Sequence, residues 1–498
     1  MKIKFKSFIS PWNLLVFGVL LLAFFVRIYR QNDLLGFYYD QGRDALVVWD
    51  LWHKAKPFLI GPVTGLPGIF LGPFYYYLIA PLYLIGSGNP LYPAVFMALL
   101  TTAAIYFLYR LGVKMHSRAA GLFAAVIAAF SYQIVYNSRW LSNPIPIYFT
   151  SVLFLWSLWE IVSGGKKYWW ILAFFLAGVS LHFESASAVF YVPILIAFSL
   201  WQRAKFPGVK IFVLSLAAFG VTLLPQIIFN FRHENILFNN FQKLFVQERG
   251  FQFTKFLLEE RTKFFWEVAT NKLITGWYFY SAVFFILVIL AIGFGRKNLK
   301  KGLLKLFGIF FLIPILGYYS FRGNHGVVYD YYLSGYYLPF ILLFSIGLSE
   351  LAKNKKGILA VTIFFLIFLV RNLTIVESQI TQSGDGPQTI NFKNQIKAVD
   401  WVFENAKGKG RFNVDIYVPP VIPYAYDYLF LWQATERCGE GLCDLDKDGL
   451  QPVLYTLYEE DPPHPERLEA WLARQKGIGD VEQESRFAGI TVQRRKRL

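Results

Sequence analysis

The chain has 498 residues, of which 55% are hydrophobic and 16% charged, and its 49 Lys+Arg against 32 Asp+Glu give a formal charge of +17. A water-soluble chain is about a quarter charged, so a soluble enzyme, a disordered chain and a collagen-like chain are all excluded. Two cysteines exclude a disulfide-rich scaffold, while 51 Phe, 30 Tyr and 14 Trp suit long lipid-facing surfaces with interfacial belts.

Apolar segments of about 17 to 25 residues predict membrane-spanning helices. Eleven follow in chain order, at about 12–29, 90–109, 119–137, 144–162, 168–181, 187–201, 209–231, 273–294, 303–321, 334–351 and 357–376. The fifth and sixth are the shortest. The first run has no small-residue cleavage site and leads into further spans, so no cleavable signal peptide is expected.

With the N-terminus inside, the inner stretches hold 19 basic residues, from Lys2, Lys4 and Lys6 through Arg110, Lys114 and Arg118 to Lys353, Lys355 and Lys356. The three short outer loops between spans three and ten hold two, Arg139 and Arg322. This asymmetry predicts a multi-pass protein of the cytoplasmic membrane with its N-terminus inside and, given an odd number of spans, its C-terminus outside. The basic excess is then a topology signal, and no nucleic-acid role is expected. Hydrophilic mass lies outside in three places, at about 30–89, 232–272 and 377–498.

Acidic residues point to the chemistry. Only 13 of the 32 precede residue 377, and Asp33, Asp40, Asp44 and Asp50 cluster in the first outer loop. The stretch 38–54 reads as a helix in the outer interface with Trp49 and Trp52 toward lipid. Spacing of four puts Asp40 and Asp44 on one helix face beside Arg43, at the level where a lipid headgroup meets water. The plainer alternative makes Asp40 an N-cap and Arg43–Asp44 an exposed pair. The loop continues through a Pro-broken apolar run at 71–81. That run is expected to be interfacial, because counting it as a span would invert every later loop against the charge rule.

An N-terminal span, a large first outer loop opening with an acid, and Gly72-Pro73-Phe74-Tyr75-Tyr76-Tyr77 before the second span together resemble family 39 glycosyltransferases of the C-type superfamily. Members include protein O-mannosyltransferases and lipid A aminoarabinose transferases, in which the second loop motif is usually Pro-Pro-Leu-Tyr-Tyr. Here Gly72 replaces the first Pro and Phe74 the Leu. Further landmarks are Arg139 with Asn143-Pro144, His182-Phe183-Glu184, the stretch Pro225 to His233, and Tyr329-Asp330-Tyr331-Tyr332-Leu333, where a Tyr stands in for the family's His. The likeness covers about residues 10–376, with every landmark on the outer side.

The resemblance implies an all-α polytopic fold of about 11 transmembrane helices with interfacial helices in the first outer loop, and a donor that is a polyprenyl-phosphate sugar. The isoprenoid tail must stay in lipid while the sugar phosphate reaches the surface, so the site belongs at the outer boundary. Inverting transfer needs a base for the acceptor hydroxyl and cations for the departing lipid phosphate. By the resemblance Asp40 is the first choice of base and Asp44 the second. Arg43, Arg139, His182, Arg232 and His233 are phosphate candidates, Arg favoured for its planar fork. Tyr75, Tyr76, Glu184, Tyr329 and Tyr332 complete the substrate-binding set. Each has a structural rival: Arg139 as an interfacial anchor, His182 and Glu184 as a hydrogen-bonded pair, Arg232-His233 as a solvated loop start, and the tyrosines as aromatic belt. No catalytic metal or other cofactor is expected.

From residue 377 the composition changes, with 19 of the acids in the last 122 residues. Two regions are therefore expected, a transmembrane core at 1–376 and an extracytoplasmic α/β domain at 377–498. Helices near 391–405, 424–434 and 465–475 and strands near 412–418, 453–458 and 490–493 fit a small α/β domain for acceptor binding or support of the core. Cys438 and Cys443, on the oxidising side, predict a local disulfide. Asp444, Asp446 and Asp448 open like a calcium loop, but position twelve is Tyr455, so a structural calcium site and a plain acidic turn both stand.

The expected partners are membrane lipid, the lipid-linked donor and a glycan, lipid or protein acceptor. A lipid or glycan transporter or flippase would want ionisable groups at mid-membrane and an inverted repeat. A glycan polymerase or ligase using a diphosphate donor would share the architecture.

Overall fold

A computed structural model describes residues 11–497 except 67, 244–249, 323–326, 382–385, 387, 420–421 and 440–442. Lys2, Lys4 and Lys6 of the charge count lie outside the described residues. The chain opens with α1 (Pro11–Ile28), and the first long loop carries α2 (Gln31–Leu34), α3 (Tyr39–Lys54) and α4 (Phe74–Ile85). There follow α5 (Leu91–Met115), α6 (Arg118–Phe130), α7 (Tyr132–Ser138), α8 (Ile147–Val162), α9 (Trp169–Ser180), α10 (Ser185–Ala188), α11 (Tyr191–Trp201) and α12 (Val209–Arg232). The second hydrophilic stretch holds α13 (Ile236–Gln242) and α14 (Lys255–Asn271), and the bundle closes with α15 (Tyr278–Gly295), α16 (Leu303–Ser320), α17 (Ser334–Leu351) and α18 (Lys355–Thr381).

Every expected span corresponds to a helix, but eleven is not the number that length and apolarity support. Among the described residues seven helices can cross a membrane on those grounds, or eight if α6 and α7, bent by 60°, count as one span. Helices α8 and α9 are shorter, as is the α10–α11 segment at Ser185–Trp201. This is a multi-pass membrane protein whose most buried helix, α17, runs through the centre.

The α6–α7 bend frees backbone groups that lipid cannot satisfy, and two side chains take them up. Arg27, fully buried in α1, donates from Nη2 to Ala128 O at 3.0 Å and from Nη1 to Ala129 O at 3.0 Å and to Ala23 O of its own helix at 2.7 Å. Asn372 of α18 accepts from the Tyr132 amide at 2.9 Å.

Beyond α18 the chain builds α19 (Phe392–Ala406), β1 (Phe412–Tyr417), α20 (Tyr424–Cys438), β2 (Val453–Glu459), α21 (Pro465–Lys476), β3 (Gly479–Phe487) and β4 (Ile490–Arg497). The sheet order is β1-β2-β4-β3, with β1 parallel to β2 and the other pairs antiparallel. All six predicted elements begin within a residue of their predicted starts. The edge strand β3 was not anticipated. Cys438 and Cys443 form a disulfide with Cα atoms 5.5 Å apart.

This unit is docked on the first long loop. Phe392 N donates to Leu35 O at 2.9 Å, Gln395 Nε2 to Phe37 O at 2.8 Å, and Tyr38 OH to Ile390 O at 2.8 Å. Helix α20 lies along α3, with Tyr424 on Tyr39 at 4.9 Å between ring centroids and Tyr428 against Phe37, Trp49 and Tyr83. Trp49 therefore faces α20 and stacks on His53 at 3.8 Å rather than turning to lipid. Trp52 stays partly exposed and donates to Ala80 O at 3.0 Å.

Candidate active site

Helix α3 starts one residue before Asp40: Tyr38 is the N-cap, and its amide donates to Gln41 Oε1 at 3.1 Å. Asp40 is thus not a cap but a first-turn acid, where the helix dipole favours its charge. Its side chain is 65% exposed. Arg43 Nη1 lies 2.8 Å from Asp40 Oδ1, and Arg43 Nε and Nη2 donate to Asp44 Oδ1 at 2.9 and 2.7 Å. Asp44 is buried and also accepts from Tyr76 OH at 3.2 Å. Burial pushes the Asp44 carboxyl up to about 6, against the pull of Arg43. The three residues divide naturally: Asp44 holds the guanidinium in one orientation, and Asp40 stands open beside it.

The opposite side of α4 reaches the other landmarks. His182 Nδ1 accepts from the Phe74 amide at 3.2 Å, so Nε2 carries the proton and donates to Thr222 O at 2.7 Å. His182 therefore pins the start of α4 to α12 and uses both ring nitrogens. Gly72 makes this approach feasible, since a Cβ there would run into the imidazole. The replacement of the family's first Pro by Gly72 goes with His182 packed against the loop.

Glu184 caps α10 by accepting from the Ala186 amide at 3.0 Å, in the same neighbourhood as Tyr318, Tyr331 and Tyr332. Tyr329 is half exposed and stacks on Tyr331 at 5.5 Å. The carbonyl of Tyr332 accepts from Ser187 Oγ at 2.6 Å and Tyr318 OH at 3.1 Å. Next to them Lys272, completely buried, is 2.8 Å from Asp330 and 4.2 Å from the Tyr337 ring centroid. Burial lowers the Lys272 ammonium below its usual value, with Asp330 opposing. This Lys–Asp–Tyr group was missed in the sequence because Lys272 looks like the flank of a span. A lone acid between tyrosines was the available signal.

Glu184 yields a prediction. Burial pushes its carboxyl from 4.5 to about 8, with the Ala186 amide opposing, so it is protonated at neutral pH. The unfolded chain ionises first, so as pH rises from about 4.5 toward 8 the fold loses stability relative to a neutral isostere. Glu184→Gln should match wild type in thermal unfolding at pH 4.5 and exceed it increasingly up to pH 8. A gap that does not change with pH would contradict this environment for Glu184.

Arg139 does not join Arg43. Its Nη1 donates to Val26 O at 2.7 Å and Arg27 O at 3.1 Å, and its Nη2 to Tyr29 O at 3.0 Å, closing the carboxyl end of α1. Arg139→Ala should cost about 2 kcal/mol of stability, measured by chemical unfolding in detergent, because charged donors leave several carbonyls without partners. Donor affinity of the folded fraction should be unchanged. An affinity loss without destabilisation would put Arg139 on the phosphate instead. Arg232 and His233 sit at the exposed end of α12, where His233 stacks on Phe229 at 4.0 Å and Phe229 meets Phe70 of the first loop at 6.1 Å.

Tyr75 is fully buried behind Tyr76, and its hydroxyl has no partner among the described residues. In the C-terminal unit the Asp446 carboxylate accepts from the Asp448 and Gly449 amides at 3.0 and 2.9 Å and from Gln451 Nε2 at 2.6 Å, so it organises a turn. Among the described residues no three His, Cys, Asp or Glu side chains gather as a metal site.

Residues 71–229 match the family model of dolichyl-phosphate-mannose-protein mannosyltransferases. The fold is similar to that of ArnT from Cupriavidus metallidurans bound to undecaprenyl phosphate, with a TM-score of 0.61 and 11% identity over 98% of both chains. The apo form of ArnT gives 0.59 at 10% identity over 97% of both chains. The oligosaccharyltransferase AglB from Archaeoglobus fulgidus, in complex with an inhibitory peptide and a dolichol-phosphate, gives 0.51 at 12% identity over 96% of this chain and 73% of that one. A sequence comparison with curated proteins finds no match. The resemblance to family 39 read from the ordered landmarks agrees with the family match over residues 71–229, and at these identities the structural likeness is one of fold.

Proposed function

We propose that this chain is a membrane glycosyltransferase that moves a sugar from a polyprenyl-phosphate donor to an acceptor hydroxyl of a glycan, lipid or protein at the outer face of the cytoplasmic membrane, with inversion. The observation that carries the reading is the Asp40–Arg43–Asp44 group, an exposed carboxylate and an oriented guanidinium on one turn of an interfacial helix. The mannosyltransferase family match and the ArnT-like fold support the donor class.

In the reaction the Asp40 carboxylate takes the acceptor proton, and the oxygen attacks the anomeric carbon. The bond from that carbon to the phosphate oxygen breaks, and polyprenyl phosphate departs with its charge stabilised by Arg43. Asp44 is a positioning residue that fixes the fork of Arg43. Residues 1–376 form the transferase core and 377–498 an extracytoplasmic domain that backs α3 through α20.

The test is incubation of purified protein in lipid vesicles with a panel of radiolabelled polyprenyl-phosphate sugars. One sugar should pass to an added acceptor or be slowly hydrolysed. If none is consumed while labelled lipid crosses the bilayer, the protein is a flippase.

A further inference from the structure

Helices α6 and α18 leave a groove of about 410 Å³ between them, lined by Phe123, Ala352, Ile358, Val361, Phe365 and Leu369. Thr362 also borders it, but its hydroxyl is turned back to Ile358 O at 3.0 Å, so the groove offers carbon to a ligand. Phe123 and Phe365 line it with ring centroids 5.0 Å apart. From Ile358 to Leu369 the helix advances about 16 Å, close to the half-thickness of a hydrocarbon core of about 30 Å. The groove therefore has the reach of one leaflet.

Its mouth is basic. Ala352 and Ile358 flank Lys353 in the α17–α18 connection and Lys355 and Lys356 in the first turn of α18, and all three lysines are exposed. Gly357 lets the start of α18 pass close to the end of α17, since a Cβ there would collide with Leu351 O. Lys353 is taken by Glu350 at 2.6 Å, while Lys355 and Lys356 have no ion-pair partner among the described residues. Ser117 Oγ meets Ser349 Oγ at 2.8 Å, which brings the exposed Arg118 at the start of α6 to the same end of the bundle. The chain thus presents an apolar slot one leaflet deep, with three cations around its entrance that have no ion-pair partner among the described residues.

We infer that this groove is a binding site for an anionic glycerophospholipid of the cytoplasmic leaflet. One acyl chain lies between α6 and α18, and the headgroup phosphate sits among Lys355, Lys356 and Arg118. Charge complementarity selects the occupant: a zwitterionic lipid could fill the slot but would gain little from the cations. The site is at the opposite end of the bundle from Asp40 and is independent of the transfer chemistry.

Native mass spectrometry tests it, on protein equilibrated with vesicles of equal phosphatidylglycerol and phosphatidylcholine with matched chains. Wild type should retain about one phosphatidylglycerol with a preference on the order of tenfold. Arg118→Gln/Lys355→Gln/Lys356→Gln should bring that preference to about unity. Thr362→Trp, a change at an exposed position, should fill the groove and abolish retention with the cations intact. Equal retention of both lipids by wild type, or undiminished retention by Thr362→Trp, would overturn the assignment.

Discussion

Asp40→Asn is expected to lower kcat for sugar transfer by about 10³-fold, within the range for loss of a general base, while leaving thermal unfolding unchanged. The fold should tolerate it because the Asp40 side chain is largely exposed and its ion-pair partner, Arg43, keeps two bonds to Asp44. KM for the donor should change less than kcat, since the amide still occupies the space of the carboxylate and only proton removal is lost. Asp44→Asn should behave differently. It releases the Arg43 fork in a buried setting, so both stability and donor affinity should fall. If Asp44→Asn removes turnover without destabilisation while Asp40→Asn retains activity, the two roles are reversed.

The second large effect is expected from Gly42→Val. A Cβ at Gly42 would overlap the backbone of Tyr424 and Ala425, the first residues of α20, and backbone cannot yield as a flexible side chain does. The α3–α20 contact must open. Since Asp40 and Arg43 flank Gly42 on α3, a displacement of about 1 Å there should cost on the order of 100-fold in transfer. Limited proteolysis should also cut between α18 and α19 sooner than in wild type. Gly220→Ala, where a Cβ meets open space, should change neither readout. Full activity of Gly42→Val with normal protease resistance would mean that docking of the C-terminal unit does not position α3.

How much of this was legible in the sequence depended on what each residue touches. The helices were readable because lipid requires long apolar runs, and the elements of the C-terminal unit because their amphipathic alternation faces a core. Strand β3 escaped because it is an edge strand whose residues 480–484 are all exposed, so charge replaced alternation. The face shared by Asp40, Arg43 and Asp44 followed from helical spacing alone. What spacing could not reveal was long-range assignment. Arg27 and Arg139 both look like ordinary span-end cations, yet one satisfies the α6–α7 bend and the other the end of α1, through contacts about a hundred residues distant. His182 looked like a substrate group until the partners of both its nitrogens were located, on α4 and α12. Trp49 was placed toward lipid because the sequence shows an interfacial helix without showing that α20 covers it.

The central claim is a single displacement at the anomeric carbon, driven by Asp40 beside Arg43. Its most direct test is the anomeric configuration of the product, determined by NMR after transfer from a donor of defined configuration. The product should be inverted, with one polyprenyl phosphate released per sugar transferred. Retention of configuration would contradict it, since that outcome requires a second displacement through a covalent intermediate that a general base alone does not provide.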